Sequence, residues 1–178
     1  QACTKGLQLN SKIFNAHFLL STILSDQKKF TEAETSLRKT IELKPDFFQA
    51  HLNLGIVSME LKKLEKASAC IRKAIELNPK LFYPHFLLST ILSDQKKFTE
   101  AETSLRKSIE LKPDFFHAHY MLSLVLKKIG KLHDAEKFIR KAITIKPNNT
   151  NSYHHLGIIL KERGEFDEAE KSWLKALE

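Results

Sequence analysis

The sequence predicts an all-α solenoid of five tandem helix-turn-helix repeats, each about 34 residues long, and three observations carry that expectation. Pro45, Pro79, Pro113 and Pro147 fall at one constant interval. The segment Phe14 to His51 reappears further on as Phe82 to His119, with only Asn15/Tyr83, Ala16/Pro84, Thr40/Ser108 and Gln49/His117 changed. A weaker copy lies between the two, so the true period is half their offset and equals the proline interval, and a period of that length marks stacked repeats rather than a generic helical bundle. Apolar residues recur at three- and four-residue spacings instead of alternating, and Gly and Pro number five each, which favours helices and leaves no sheet.

Residues 1–11 read as the latter half of a preceding second helix, because Lys5-Gly6-Leu7-Gln8-Leu9-Asn10 parallels Lys73-Ala74-Ile75-Glu76-Leu77-Asn78. The chain is therefore expected to begin inside a repeat and to be a segment of a longer, bacterial protein. Repeat 1 spans 14–47, repeat 2 48–81, repeat 3 82–115, repeat 4 116–149 and a truncated repeat 5 150–178, all in one domain. Each proline stops one repeat before the next, since proline cannot continue a helix and biases its predecessor away from helical angles. A second boundary inside each repeat falls near Gln27-Lys28-Lys29, Leu61-Lys62-Lys63, Gln95-Lys96-Lys97, Ile129-Gly130-Lys131 and Arg163-Gly164-Glu165. Gly130 and Gly164 suit a left-handed helix stop. Thr31-x-x-Glu34, Thr99-x-x-Glu102 and Asp167-x-x-Glu170 have the form of capping boxes that open the following helix. In repeat 1, His17, Leu20, Ser21 and Leu24 form one helical stripe and Ala33, Leu37, Thr40 and Ile41 the facing one.

These repeats resemble the tetratricopeptide pattern W-x2-L-G-x2-Y, then A-x3-F, then P. Repeat 2 reads His51-x-x-Leu54-Gly55-x-x-Ser58, Ala67-x-x-x-Ile71, Ala74 and Pro79. Repeat 4 reads His119-x-x-Leu122-Ser123-x-x-Leu126, Ala135-x-x-x-Ile139, Ala142 and Pro147, and repeat 5 supplies Tyr153, Leu156, Gly157, Leu160, Ala169, Trp173 and Ala176. One departure is consistent: His17, His51, His85 and His119 replace the large aromatic opener. The resemblance implies a right-handed superhelix that binds a protein or peptide on its concave wall.

Composition and motifs narrow the chemistry. The net charge of +8 raises nucleic acid as a partner, but Arg38-Lys39, Arg72-Lys73, Arg106-Lys107 and Arg140-Lys141 recur once per repeat. Glu34, Glu102 and Glu136 stand four residues before Arg38, Arg106 and Arg140, so these read as solvated, paired outer faces and argue against a nucleic-acid site. The one-repeat spacing of the histidines places them about 10 Å apart, too far to share a metal, and gives them a packed, hydrogen-bonded role. His154 and His155 diverge by about 100° on a helix. No phosphate loop, nucleophile elbow, His-Glu-x-x-His or Cys-x-x-Cys motif occurs, so no catalytic residue, metal ligand or cofactor is assigned and the segment reads as non-enzymatic. Cys3 and Cys70 read as reduced structural thiols. No apolar run reaches the roughly 20 residues of a membrane span, and the N-terminus lacks a signal-peptide layout, which makes cytoplasmic location the default.

The wall residues follow from stepping past each core position of the first helices. They are Asn15, Phe18 and Thr22; Gln49, Leu52, Asn53 and Ile56; Tyr83, Phe86 and Thr90; His117, Tyr120 and Leu124; and Asn151, His154 and Ile158. The surface is apolar and aromatic with a polar rim, suited to an amphipathic or extended peptide anchored by Phe18, Phe86 and Tyr120. Tetratricopeptide domains that clamp a C-terminal carboxylate carry Lys and Asn at places held here by Phe18, Thr22, Asn53, Tyr83 and Leu87; only Asn53 fits, and that role is not transferred. The asparagine ladder of the O-linked N-acetylglucosamine transferase superhelix is likewise missing, its places holding Leu19, Asn53, Leu87, Met121 and His155. Two alternatives stand beside peptide binding: self-association through the terminal repeats, and a targeting arm for a transferase whose catalytic domain lies elsewhere.

Overall fold

A computed structural model describes the backbone of residues 2–178 and the side chains of residues 13–178. Among these residues the chain forms ten α-helices and no strand: α1 (Ala2–Asp26), α2 (Phe30–Leu43), α3 (Phe48–Glu60), α4 (Leu64–Leu77), α5 (Phe82–Asp94), α6 (Phe98–Leu111), α7 (Phe116–Lys128), α8 (Leu132–Ile145), α9 (Thr150–Glu162) and α10 (Phe166–Leu177). Two compact units divide the chain, Gln1–Pro84 and His85–Glu178. In the first, α1 packs on α2, α2 on α3 and α3 on α4; in the second, α6 packs on α7, α7 on α8, α8 on α9 and α9 on α10.

Apolar periodicity builds both cores. In the first unit Ala33, Leu37, Ala50, Leu54 and Val57 are buried together, with Phe18, Leu24, Phe30, Ile41 and Phe47 packed against them. In the second, Leu105, Leu122, Leu126, Ile139, Ile159 and Leu160 are fully buried. Each such side chain contributes roughly 1.5–3 kcal/mol by leaving water, the gain that holds short helices together. Small residues stand where helices close up: a Cβ on Gly55 would lie 2.5 Å from Ile71 Cδ1, and one on Gly157 would run into the Trp173 indole.

The proline stops are present, but α1 runs unbroken through 25 residues where α3 has 13. Residues 2–11, read as part of a preceding second helix, are thus continuous with the first helix of repeat 1. Ser11 holds the place that proline takes in the following repeats, so nothing there obliges the helix to stop.

Every turn inside a repeat closes on a left-handed residue: Lys28, Lys62 and Lys96 at φ near 60°, Gly130 at 80° and Gly164 at 85°. The bonds Lys29 N–H to Leu24 O (2.8 Å) and Lys28 N–H to Ser25 O (2.9 Å) are those of a Schellman stop. This geometry overturns the expected capping boxes. The next helices begin at Phe30, Phe98 and Phe166, with Lys29, Lys97 and Glu165 as caps and no side-chain cap bond. Thr31, Thr99 and Asp167 therefore lie inside the first turn, too late to cap it. The side-chain cap that does form is at α9, where Asn149 Oδ1 accepts from Ser152 N at 2.9 Å.

The Glu–Arg pairs form as expected, Glu34 with Arg38 at 2.7 Å, Glu102 with Arg106 at 2.9 Å and Glu136 with Arg140 at 2.6 Å. The carboxylates are not solvated, however. Glu34 is 4% exposed and Glu102 8%, because lysines of the following repeat close over them. Lys63 reaches Glu34 at 2.8 Å and Lys66 bonds its other oxygen, while Lys131 reaches Glu102 at 2.9 Å. Burial alone would push the Glu34 carboxyl up; the Lys63 and Lys66 ammoniums overcome it and hold the group at about 2. Ser68 holds the corresponding place in repeat 2.

Histidine openers tie repeats together. His51 Nε2–H donates to Pro45 O and His119 Nε2–H to Pro113 O, each at 2.8 Å, which is the hydrogen-bonded packing role expected for these two. Cys70 is a free, half-buried thiol pushed up by burial; the side chain of Cys3 lies outside the described residues. No helix among the described residues is long and apolar enough to cross a membrane.

Candidate functional site

The first helices of each repeat carry two neighbouring stripes, one turned into the core and one left partly open. In the second unit the contrast is sharp along α7 and α9. His119, Leu122, Ser123 and Val125 are buried, while Tyr120 and Leu124 beside them are half-buried and His117 is exposed. On α9, Leu156 and Ile159 are buried, Ile158 half-buried, and Asn151 and His154 exposed. Phe86 and Thr90 of α5 are half-buried next to the buried Leu87 and Ile91. In the first unit Asn15, Thr22 and Tyr83 are exposed, and Phe18, Gln49, Leu52, Asn53 and Ile56 are half-buried. All sixteen wall positions keep some access to solvent.

Rings join these positions within each unit. Phe47, just before α3, meets Phe18 edge-on at 5.0 Å and Phe14 at 5.6 Å, with the Lys44 ammonium 5.1 Å from the Phe14 ring centre. Phe115, before α7, repeats the arrangement on Phe86 at 5.1 Å and approaches His117 at 5.4 Å. Phe116 stacks on Tyr120 at 5.9 Å, and Tyr120 leans on His155 at 5.9 Å. Phe18 thus bridges the core cluster and the open stripe. Its apolar body fills a gap between repeats while one side faces out. Thr22 donates its hydroxyl to Phe18 O at 3.2 Å, which leaves its methyl as the group it can offer a ligand.

The chemistry of the surface is that of contact rather than of bond-making. Burial pushes the Tyr120 hydroxyl up and keeps it protonated at neutral pH. Burial together with Lys127 pushes His155 down to about 4, so its imidazole is neutral. Among the described residues no three His, Cys, Asp or Glu side chains converge as a metal-binding group. His154 and His155 point apart, the one exposed and the other 5% exposed.

Sequence reasoning missed three contributors. Phe47 and Phe115 shape the wall from the loops; the repeated Asp-Phe-Phe at 46–48 and 114–116 is the signal that marks them. Trp173, taken only as a core-pattern residue, lines an open cleft of about 500 Å³ with Thr150, Asn151, His154, Ala176 and Leu177. Its indole Nε1–H donates to His154 O at 3.2 Å.

Comparison with known proteins places this geometry. A model of the tetratricopeptide repeat matches residues 14–47, 84–115 and 116–149, a second matches 48–81 and a third 138–171. The chain is similar to a crystal structure of MamA at 24% identity, with 88% of this chain and 92% of that one covered and a TM-score of 0.86. It is similar to MamA from Desulfovibrio magneticus RS-1 at 18% identity, covering 93% of each chain with a TM-score of 0.89. YrrB, described as a TPR protein with an unusual peptide-binding site, aligns at 19% identity over 99% of this chain and 91% of its own, TM-score 0.85. Curated protein sequences give no significant match. The solved structures share the fold, an all-α solenoid of paired helices, and with the repeat models covering most of its length this chain belongs to the tetratricopeptide repeat family.

Proposed function

We propose that the chain is a binding module without chemistry of its own, which takes an apolar or aromatic peptide segment on the open stripe of its first helices. The observation that carries the reading is the row Phe86, Tyr120, Leu124 and Ile158 in the second unit. These apolar side chains stay half-exposed while their immediate neighbours are buried. Rings already fixed by Phe115 and Phe116 lose little freedom when they bind, and pre-positioned aromatic anchors supply most of an interface's energy. His117, Asn151 and His154 form a polar rim that can satisfy the backbone of a bound segment. In the first unit Phe18, Leu52 and Ile56 play the corresponding part, with Asn15, Gln49 and Asn53 at the rim. The family relationship and the likeness in fold to YrrB support the reading.

The test is selection of peptides from a displayed random library against this chain, followed by titration of the selected peptides. Phe86→Ala with Tyr120→Ala should weaken them by roughly 30-fold, about 2 kcal/mol, with helicity nearly unchanged. Equal affinity for the chain and the double variant overturns the assignment.

A further inference from the structure

Inside each unit, the junction between consecutive repeats buries the same two faces. Leu37 of α2 clusters with Ala50, Leu54 and Val57 of α3, and α8 packs on α9 with Ile139, Leu156 and Ile159 buried. On α1 and α10 the corresponding faces are bare. Leu20 and Ile23 hold the places of Leu54 and Val57, yet they are 45% and 54% exposed against 5% and 2%. Leu177, in the place of Ile41, is 85% exposed.

The shapes correspond as well. His154 and Trp173 hold the places of Phe18 and Leu37 and line the open cleft of about 500 Å³. Between repeats 1 and 2 the space over that pair is filled by Phe47, 5.0 Å from Phe18 and packed on the Leu37 cluster. In the register of the repeats, the residue of a following chain that would take the place of Phe47 is Ile13, which is 40% exposed. Charge follows the same register. Glu170 stands where Glu34 and Glu102 stand, exposed and without an ion-pair partner among the described residues. Lys29 stands where Lys63 and Lys131 stand, and it too is exposed.

We infer that the α10 face of one copy receives the α1 face of a second copy, head to tail, in the register of the internal junctions. Ile13 enters the cleft beside His154 and Trp173, Leu20 and Ile23 cover Leu177, and Lys29 pairs with Glu170. The contact is heterologous: each copy in a pair keeps one face of each kind free, so association continues with concentration. It does not depend on the peptide reading, since it uses the repeat ends and leaves the first-helix stripe open.

Light scattering coupled to size exclusion, over a concentration series from micromolar to millimolar, tests it. The chain should rise above monomer mass as concentration increases. Leu20→Glu with Ile23→Glu, and separately Leu177→Glu, should each stay monomeric alone, and the two variants mixed should form a one-to-one complex. These side chains are exposed, so the variants should keep the helicity of the parent by circular dichroism. Glu170→Lys should raise the dissociation constant about fivefold, and Lys29→Glu in the other partner should restore it. A monomer at every concentration overturns the inference, as does self-association by either face variant. Loss of association in Phe86→Ala with Tyr120→Ala would assign the contact to the first-helix stripe and overturn it equally.

Discussion

His155 should make the stability of the second unit fall with acid well before the carboxylates are neutralised. The imidazole is 5% exposed, wedged against Tyr120 and bonded to the Ser123 backbone, with Lys127, Glu162 and His154 as its charged or titratable neighbours. Burial, reinforced by Lys127, lowers its pKa from 6.5 to about 4. The folded form therefore resists a proton that the unfolded chain accepts, so stability is complete above pH 6.5 and is lost as pH falls toward 4. At about 1.4 kcal/mol per pH unit the full loss is about 3 kcal/mol, a large share of a small domain's margin. Urea midpoints measured at a series of pH values read it directly. His155→Leu, which installs the residue found at the matching place as Leu87, should flatten the profile over that window. Only the smaller slope from His119, lowered mainly by burial, should remain. A variant whose midpoint falls as steeply as the parent's between pH 6.5 and 4 refutes the reasoning.

Three further outcomes are expected. The clamp on Glu34 adds a second acid loss at lower pH: with a folded pKa near 2, its contribution is intact above 4.5 and disappears as pH falls through 2, and Glu34→Gln should remove that limb of the unfolding profile. Lys28→Gly, Lys62→Gly and Lys96→Gly, at left-handed positions that Gly130 and Gly164 fill elsewhere, should each stabilise by about 0.5–1 kcal/mol and raise the thermal midpoint. Destabilisation by all three would show that the turns are held by lysine contacts rather than by backbone geometry. Gly157→Ala should cost about 1–3 kcal/mol by forcing the Trp173 indole aside, and Trp173, the single tryptophan, should report it as a fluorescence shift; an unchanged spectrum and stability would contradict the close packing.

The repeat architecture was legible because its punctuation is chemical. A proline once per repeat stops helices whatever surrounds it, and Gly130 and Gly164 announce left-handed turns. Lys28, Lys62 and Lys96 take the same backbone without any residue preference that betrays it, so register alone locates them. The capping boxes misled for a related reason: the motif is local, while the turn preceding it fixes the helix start one residue too early for Thr31 to serve. Burial of Glu34 was invisible because its partners Lys63 and Lys66 lie far along the chain, on another repeat. Stepping past the core positions located the open stripe, yet it could not show that Phe18 also packs inward, since that depends on where the loop delivers Phe47. His155 held a clue in its register, where Leu87 and Met121 precede it, and an imidazole in an apolar series is one the fold keeps neutral.

The bond from His119 to Pro113 has a spectroscopic consequence. A carbonyl can only accept, so the Nε2 nitrogen carries its hydrogen in both the neutral and the cationic ring, and the tautomer is fixed. With the side chain 4% exposed, that hydrogen reaches solvent only when α7 lifts from the loop that carries Pro113. Its exchange rate, followed as a single imidazole resonance, is therefore a clock for the opening of one junction between repeats.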